Sequence, residues 1–572
     1  MKSIQRMQAK VIASLLIGQS LVPAAMGAPA RSGPVVASVS THSKRLPRST
    51  SRSTQVVNVE SRPMTDDEKV EQVLNRLTLG ARPGDYEKVK AMGVREFIEA
   101  QLDPQSIAES PVVEQQVANV KYLHQNSTDL ISVFREAQKE AKAAKDKQLA
   151  ATAEEGGGEA ASSGAEDMSD KKARRKALLA AGGDLAAKKE LIKDVVSEYY
   201  STRLIRELYS PRQLQEVMVD FWFNHFNVSM KKGLDNVLVG PYEEQAIRPY
   251  TLGRFRDLVG ATCHHPGMLF YLDNWQNAGP QAKAVGGGKK GGKSGLNENY
   301  ARELMELHTL GVDGGYTQKD VTELARVLTG LSLPAPALVQ RGALNPSWGA
   351  FYPNRHDSGD KLVLGEVIKG SGENEIEHCL DVLCRAPATA HHVGYKLAQY
   401  FVADEPPPAL VDRLSKRFLA SDGNIKDVLV TLFNSPEFFD ARYLNAKYKN
   451  PFRYAISAVR ASGAQFDGSA GYKGLIGFMN SQGQPLYGCL TPDGYKNTRD
   501  AWLNSDSLLK RLNFATGLGV GRIPGEAGAP DPSQVLSALG GHISSKTREV
   551  LAKTPEPMQA GLLLGSPDFM NY

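Results

Sequence analysis

From Thr65 onward, apolar residues recur at helical spacing behind recognisable caps, and this pattern restricts the chain to a helix-dominated fold. Thr65-Asp66-Asp67-Glu68 reads as a capping box, followed by Val70, Val73, Leu74 and Leu77 on one face. Gly80 and Pro83 stop that helix. Two short helices are predicted after it, at about Asp85–Met92 and Val94–Leu102. Ser210-Pro211 starts another with Pro at the first helical position. Thr317-Gln318-Lys319-Asp320 repeats the box, Tyr316 is placed to staple onto Val321, and Gly330 closes that helix. Late helices are expected at about Pro387–Val402, Ile425–Phe433 and Pro451–Ser462. Against these stands one clear strand signal, Lys361–Ile368, a hairpin turning near Gly365. The predicted class is mainly α: a large multi-helix body with a small β-hairpin and flexible low-complexity inserts.

The 572 residues divide by composition. Lys2, Arg6 and Lys10 precede a largely apolar run, Val11–Val22, and then small residues. Residues 1–27 are therefore read as a secretory signal peptide cleaved after Gly27, with Ala30 as the alternative, and the protein as periplasmic or extracellular. Residues 28–64, rich in Ser, Thr, Arg and Pro, are read as a disordered tether, and residues 65–572 as one helical domain. That domain carries two flexible inserts, at about 140–185 and 278–295; the second contains Gly286-Gly287-Gly288-Lys289-Lys290-Gly291-Gly292-Lys293. No later segment reaches the roughly 18 apolar residues of a membrane span. Net charge is +5, and nine Lys/Arg against one acid fall in residues 1–63, so the remainder is slightly acidic. A nucleic-acid-binding body, which needs clustered cationic surface, is excluded as the expectation. Cys263, Cys379, Cys384 and Cys489 are too few for a disulfide framework, and no bridge is assigned.

Several motifs occur in a telling order. They are Leu74-Asn75-Arg76-Leu77-Thr78-Leu79-Gly80, Phe221-Trp222-Phe223-Asn224-His225-Phe226-Asn227, the run from Asn297 to Gly311, Gly315-Tyr316-Thr317 and His356-Asp357. Two Ser-Pro-acid-Phe endings, at Ser435 and Ser566, complete the set. Together they resemble the bacterial "domain of unknown function 1800" family over about residues 65–572. The resemblance implies an exported, mainly helical protein. It also implies a possible partner, an exported sulfatase-like protein of the "domain of unknown function 1501" family, often encoded alongside. It brings no catalytic residues with it.

Chemistry is therefore read from the residues. On a helix capped by Asn297 and ended by Gly311, Glu298, Arg302 and Glu306 form an i, i+4 ladder, with Asn299 and Glu303 beside it. One reading is a solvated salt-bridge ladder. The other is a cleft in which Glu303, Glu306 and His308 act as acid and base, supported by Asp220 and His225 from the helix over Pro211–Asn227. In that reading Arg302 orients an anionic substrate group and Asn299 binds the substrate. Two loops, Asp273-Asn274-Trp275 and His356-Asp357, offer a stacking face and polar groups suited to a polysaccharide, or else ordinary turns. His225 also reads as a structural core histidine. No zincin, EF-hand or zinc-ribbon spacing occurs, and neither metal nor cofactor is assigned. Lys396, four residues after His392 on an otherwise apolar helix, reads as a buried cation or, in the preferred reading, as a lysine that snorkels to the surface. Two function classes stay open: an extracytoplasmic acid/base enzyme acting on a glycan or envelope polymer, and a non-catalytic envelope binding or assembly protein.

Overall fold

The computed structural model describes residues 60–139, 192–280, 295–464, 468–523, 528–540 and 543–572. The signal-peptide and tether readings fall outside these residues but for the tether's end, and so do most residues of both inserts. Within them the chain is mainly helical, with two small antiparallel two-stranded sheets. None of the described helices is long and apolar enough to cross a membrane.

The capping chemistry predicted at Thr65 is formed. In α1 (Asp66–Leu77) the Thr65 hydroxyl accepts from the Glu68 amide at 3.3 Å, and the Glu68 carboxylate accepts from the Thr65 amide at 2.8 Å. The second box, at Thr317, starts α4 (Gln318–Val327) in the same way. Burial goes further than one amphipathic face requires. Gln72 and Arg76 of α1 are also buried, donating to the carbonyls of Phe438 (2.9 Å) and Tyr443 (2.7 Å), so α1 is enclosed by distant parts of the chain.

The remaining elements that position the site are α2 (Gln213–His225), α3 (Asn299–Glu303), α5 (Asn374–Arg385), α6 (Pro387–Phe401) and α7 (Pro408–Ala420). The α7 helix packs along α6. One continuous apolar core joins residues from Val70 to Met570. The hairpin appears as β3 (Lys361–Val363) paired with β4 (Glu366–Ile368), turning through Leu364 and Gly365, both at positive φ. A second pairing, β1 (Leu331–Ser332) with β2 (Ala350–Phe351), has no periodicity that sequence could reveal, because two residues per strand are too few.

Both Ser-Pro-acid-Phe segments fold alike. The hydroxyls of Ser435 and Ser566 each accept from the amide three residues on, Phe438 and Phe569, at 3.2 Å, which buries both rings. The four cysteines are buried, unpaired thiols.

The helix expected from Asn297 to Gly311 departs from its ideal form. Asn297 does not cap it; its side chain accepts from the Asn299 amide at 3.0 Å and donates to the Asp273 carbonyl at 3.3 Å. After α3 the chain widens into a π-helical turn, Leu304–His308. The Thr309 hydroxyl donates to the Leu304 carbonyl at 2.6 Å, satisfying an acceptor at this irregular end. With five residues per hydrogen-bonded step, the side chains after Glu303 leave α-helical phase, and His308 lies in the interior.

Candidate active site

Where α2 crosses α6, Phe221 meets Tyr400 edge-on with ring centroids 5.1 Å apart. Beside that contact a cleft of about 440 Å³ opens. Its size lies within the range of sites that enclose small ligands. Two walls follow from helical spacing. Asp220, Asn224 and His225 project from α2, and His392, Lys396 and Tyr400, at i, i+4 and i+8, stack along one face of α6.

The third wall is a segment without regular structure, from Gln484 to Thr498. Two amides of the Phe-Trp-Phe-Asn-His-Phe-Asn motif hold it. The Asn224 side chain donates to the Tyr495 carbonyl at 2.9 Å and accepts from the Tyr495 amide at 2.7 Å. Asn227 donates to the carbonyls of Cys489 (3.2 Å) and Thr491 (2.9 Å). Gly494 makes the approach possible: at φ +70° it lies so close that a Cβ would fall 2.2 Å from the Asn224 carbonyl oxygen.

Below the cleft lies a buried charge network. Arg203 donates to Glu207 (2.6 Å), Glu243 (2.5 Å) and Asp220 (2.9 Å). Arg248 reaches Glu216, Glu243 and Glu244, and Arg206 reaches Glu244. Three guanidinium groups thus face five carboxyls. Burial therefore pushes the Glu207 carboxyl far up, and one of its oxygens has no partner. Burial raises Asp220 as well, against the pull of Arg203; its carboxyl also meets the Tyr400 hydroxyl.

Across the cleft the basic groups shift the other way. Lys396 is half-buried, and no hydrogen bond or ion pair holds its ammonium among the described residues. Burial lowers its pKa, with Lys496 adding repulsion and Asp493 opposing. His392 is brought down to about 4 by burial and then by Lys396, and its Nε2 faces the Leu307 carbonyl at 3.2 Å. His225, its Nε2 3.1 Å from the His308 carbonyl, is pushed well down by burial and by Lys396, His392 and His308. Buried His308 falls to about 3, with no partner on either ring nitrogen among the described residues. The His225 ring lies 6.2 Å from that of His308 and 6.0 Å from that of His392. All three imidazoles are neutral at pH 7.

Of the residues assigned to the site from the sequence, Asp220 and His225 line this cleft and the others do not. Glu303 is half-buried, its carboxyl raised by burial and then by Glu306, with Asp493 of the third wall adding to the effect. Arg302 pairs with Glu306 (3.4 Å) and Glu298 (3.5 Å) and donates to Gln318 (2.7 Å), forming the ladder that the spacing suggested. Asn299 donates to the Leu272 carbonyl at 3.1 Å. Asp273 pairs with Lys232 at 2.9 Å, and buried Asn274 donates to the carbonyls of Leu328 and Leu331. Trp275 stacks on Phe270 at 5.8 Å. His356 bonds Glu375 at 3.0 Å, and Asp357 pairs with Arg326 at 2.8 Å. Except for the buried Trp275 indole N–H, which has no partner among the described residues, these last groups are occupied by internal partners. Among the described residues, no group of three His, Cys, Asp or Glu side chains is arranged to hold a metal ion.

Sequence reasoning noted His392 and Lys396 but did not assign the α6 face to the site. His392, Lys396 and Tyr400 share helical spacing, and that signal was available; Lys396 lines the cleft half-buried. The third wall gave no signal, because an irregular segment has no period.

Fold and site together define a mainly helical protein with an aromatic-walled, charge-bearing cleft. The chain belongs to the family described as "Protein of unknown function (DUF1800)", which matches over residues 72–571. No curated protein and no solved structure matches it.

Proposed function

We propose that the protein is an exported enzyme that performs acid/base chemistry in this cleft on a glycan or another envelope polymer. One observation carries the reading: α2 and α6 present titratable groups whose surroundings push them in opposite directions. Asp220 is held toward its protonated form while His392 is held deprotonated. Such opposed pairs define acid and base assignments. Asp220 donates the proton, and His392 accepts one at the nitrogen not engaged by Leu307. Glu303, close to Asp493, belongs to the cleft's edge in this scheme and is not the principal acid.

The test is turnover of a polymer panel by the wild-type protein and single variants. Asp220→Asn and His392→Gln lower turnover by at least about 100-fold with unchanged thermal midpoints, consistent with loss of a general acid or base. Glu303→Gln and Glu306→Gln act weakly. Full activity of Asp220→Asn ends the proposal. Export rests on Lys2, Arg6, Lys10 and the apolar run after them. N-terminal sequencing of the mature protein should begin at Ala28 or Arg31, and an intact Met1 overturns it.

A binding role beside an exported sulfatase-like partner draws support from the exposed side chains of Val312, at the cleft's lip, and Leu490, two residues beyond Gly488 of its third wall. Polar substitution at both positions, with retained turnover but lost co-purification, separates the two roles.

A further inference from the structure

We infer that the cleft takes a sugar unit bearing a single negative charge, seated on Lys396. The inference rests on the cleft being the working site, and adds the chemical class of what enters it.

The argument is one of charge matching. Three cationic side chains line the cleft. Arg203 is already engaged by three carboxyl groups. Lys496 is bound to Asp493 at 2.7 Å. Among the described residues Lys396 alone of the three has no partner, and a half-buried cation without one is costly. An entering anion supplies the missing charge. The deficit is one unit, which suits a carboxylate or a sulfate ester. A phosphate dianion would bring a second charge to a site where Asp493 already places a carboxylate near Lys396 and the imidazoles of His225 and His392 carry no compensating charge.

The walls specify the rest of the ligand. The Tyr495 hydroxyl is spent on the Pro485 carbonyl at 2.9 Å, so this residue offers its ring. Tyr395 is 37% exposed and Val312 67% exposed where both border the cleft. Ring faces and a methyl-bearing lip beside one cation fit the apolar face of a pyranose carrying an acidic substituent.

Calorimetric titration of the full mature chain decides the matter, using tetragalacturonate, a 6-sulfated galactose tetramer, neutral cellotetraose and inorganic phosphate. The acidic tetramers should bind at least ten-fold tighter than cellotetraose, and phosphate should not compete. Whichever acidic tetramer binds tighter names the source of the charge, carboxylate or sulfate ester. Lys396→Met should lose ten-fold or more of that affinity, and Lys396→Arg should keep most of it. Equal binding of cellotetraose, unchanged affinity in folded Lys396→Met, or no binding of either acidic tetramer overturns the inference. Loss of turnover in Asp220→Asn with no role for Lys396 sinks this inference alone. Lys396-dependent binding with full turnover in Asp220→Asn sinks the acid/base assignment alone.

Discussion

Two polar clusters in this molecule contain similar residues and behave differently. Around His356 every charge is answered. Glu375 accepts from His356 (3.0 Å), from buried Lys361 and from the amides of Ser371 (2.8 Å) and Gly372 (3.0 Å). Arg326 donates to Asp357 and Glu323. At the α2–α6 cleft the accounts do not close. Carboxyls outnumber guanidinium groups, and among the described residues Lys396 is unpaired and His308, beside His225, has no partner. A closed network fixes backbone, as the first does by tying β3, α4 and α5 together. An open one leaves groups free to exchange protons or receive a ligand.

Acid should separate the two regions most strongly. His308 and His392 titrate at about 3 and about 4 when folded, below the ordinary histidine value of 6.5. The unfolded chain therefore binds protons first, so their contribution is complete above pH 6.5 and is lost as pH falls below it. At pH 5 each costs about 2 kcal/mol, roughly 4 together. His225, displaced in the same direction, adds to this. Glu375 is held below its ordinary 4.5 by its hydrogen bonds to Lys361 and His356, against the opposing effect of burial. Its contribution persists above pH 4.5 and is lost only on further acidification. Hydrogen exchange at pH 5 should thus loosen α2, α6 and the Leu304–His308 turn while β3 and the start of α5 stay protected. Uniform protection at pH 5 would refute the assignment.

Removing one member of the closed network is the next test. Glu375→Gln leaves the fully buried Lys361 ammonium without its counter-ion, and such losses cost about 3–5 kcal/mol. Urea unfolding should show this as a lower midpoint. Replacing both partners, with Lys361→Met and Glu375→Gln together, should recover part of it, because no orphan charge remains. If the double variant is no more stable than Glu375→Gln, the pair is not the source of the loss.

The same contrast explains what was legible in the sequence. Caps, helical periods and the hairpin were readable because each depends on residues within a few positions of one another. Thr65 with Glu68, and Leu364 with Gly365, are examples. Asp220 and His225 were identified because α2 keeps its period throughout. The π-helical turn was not, since it depends on a local hydrogen-bond choice that leaves no composition signal. The partners of Asn274, Asp357 and His356 lie between 19 and 57 residues away, so their spent hydrogen-bonding capacity became visible only on folding. The choice between a buried and a snorkelling Lys396 was left open for the same reason. The lysine's solvent is displaced by segment 484–498, which Asn224 holds from far along the chain.

The smallest expected effect compares two glycines, one beside each cluster. Gly365 in the hairpin has φ +81° and open space where a Cβ would point, so Gly365→Ala meets backbone strain alone, about 1 kcal/mol. Gly494 has φ +70° and adds contact with Asn224, whose carbonyl oxygen would lie 2.2 Å from the new Cβ. Backbone here cannot yield without moving the third wall, so Gly494→Ala should cost about 1–3 kcal/mol, above the Gly365 value. The decisive readout is not stability but the cleft. Because Asn224 holds Tyr495 through both its amide and its carbonyl, displacement of Gly494 moves an aromatic wall of the site. Binding of an acidic tetrasaccharide should fall in Gly494→Ala and stay unchanged in Gly365→Ala. Equal binding by both variants would mean that the third wall only covers α2 and takes no part in holding a ligand.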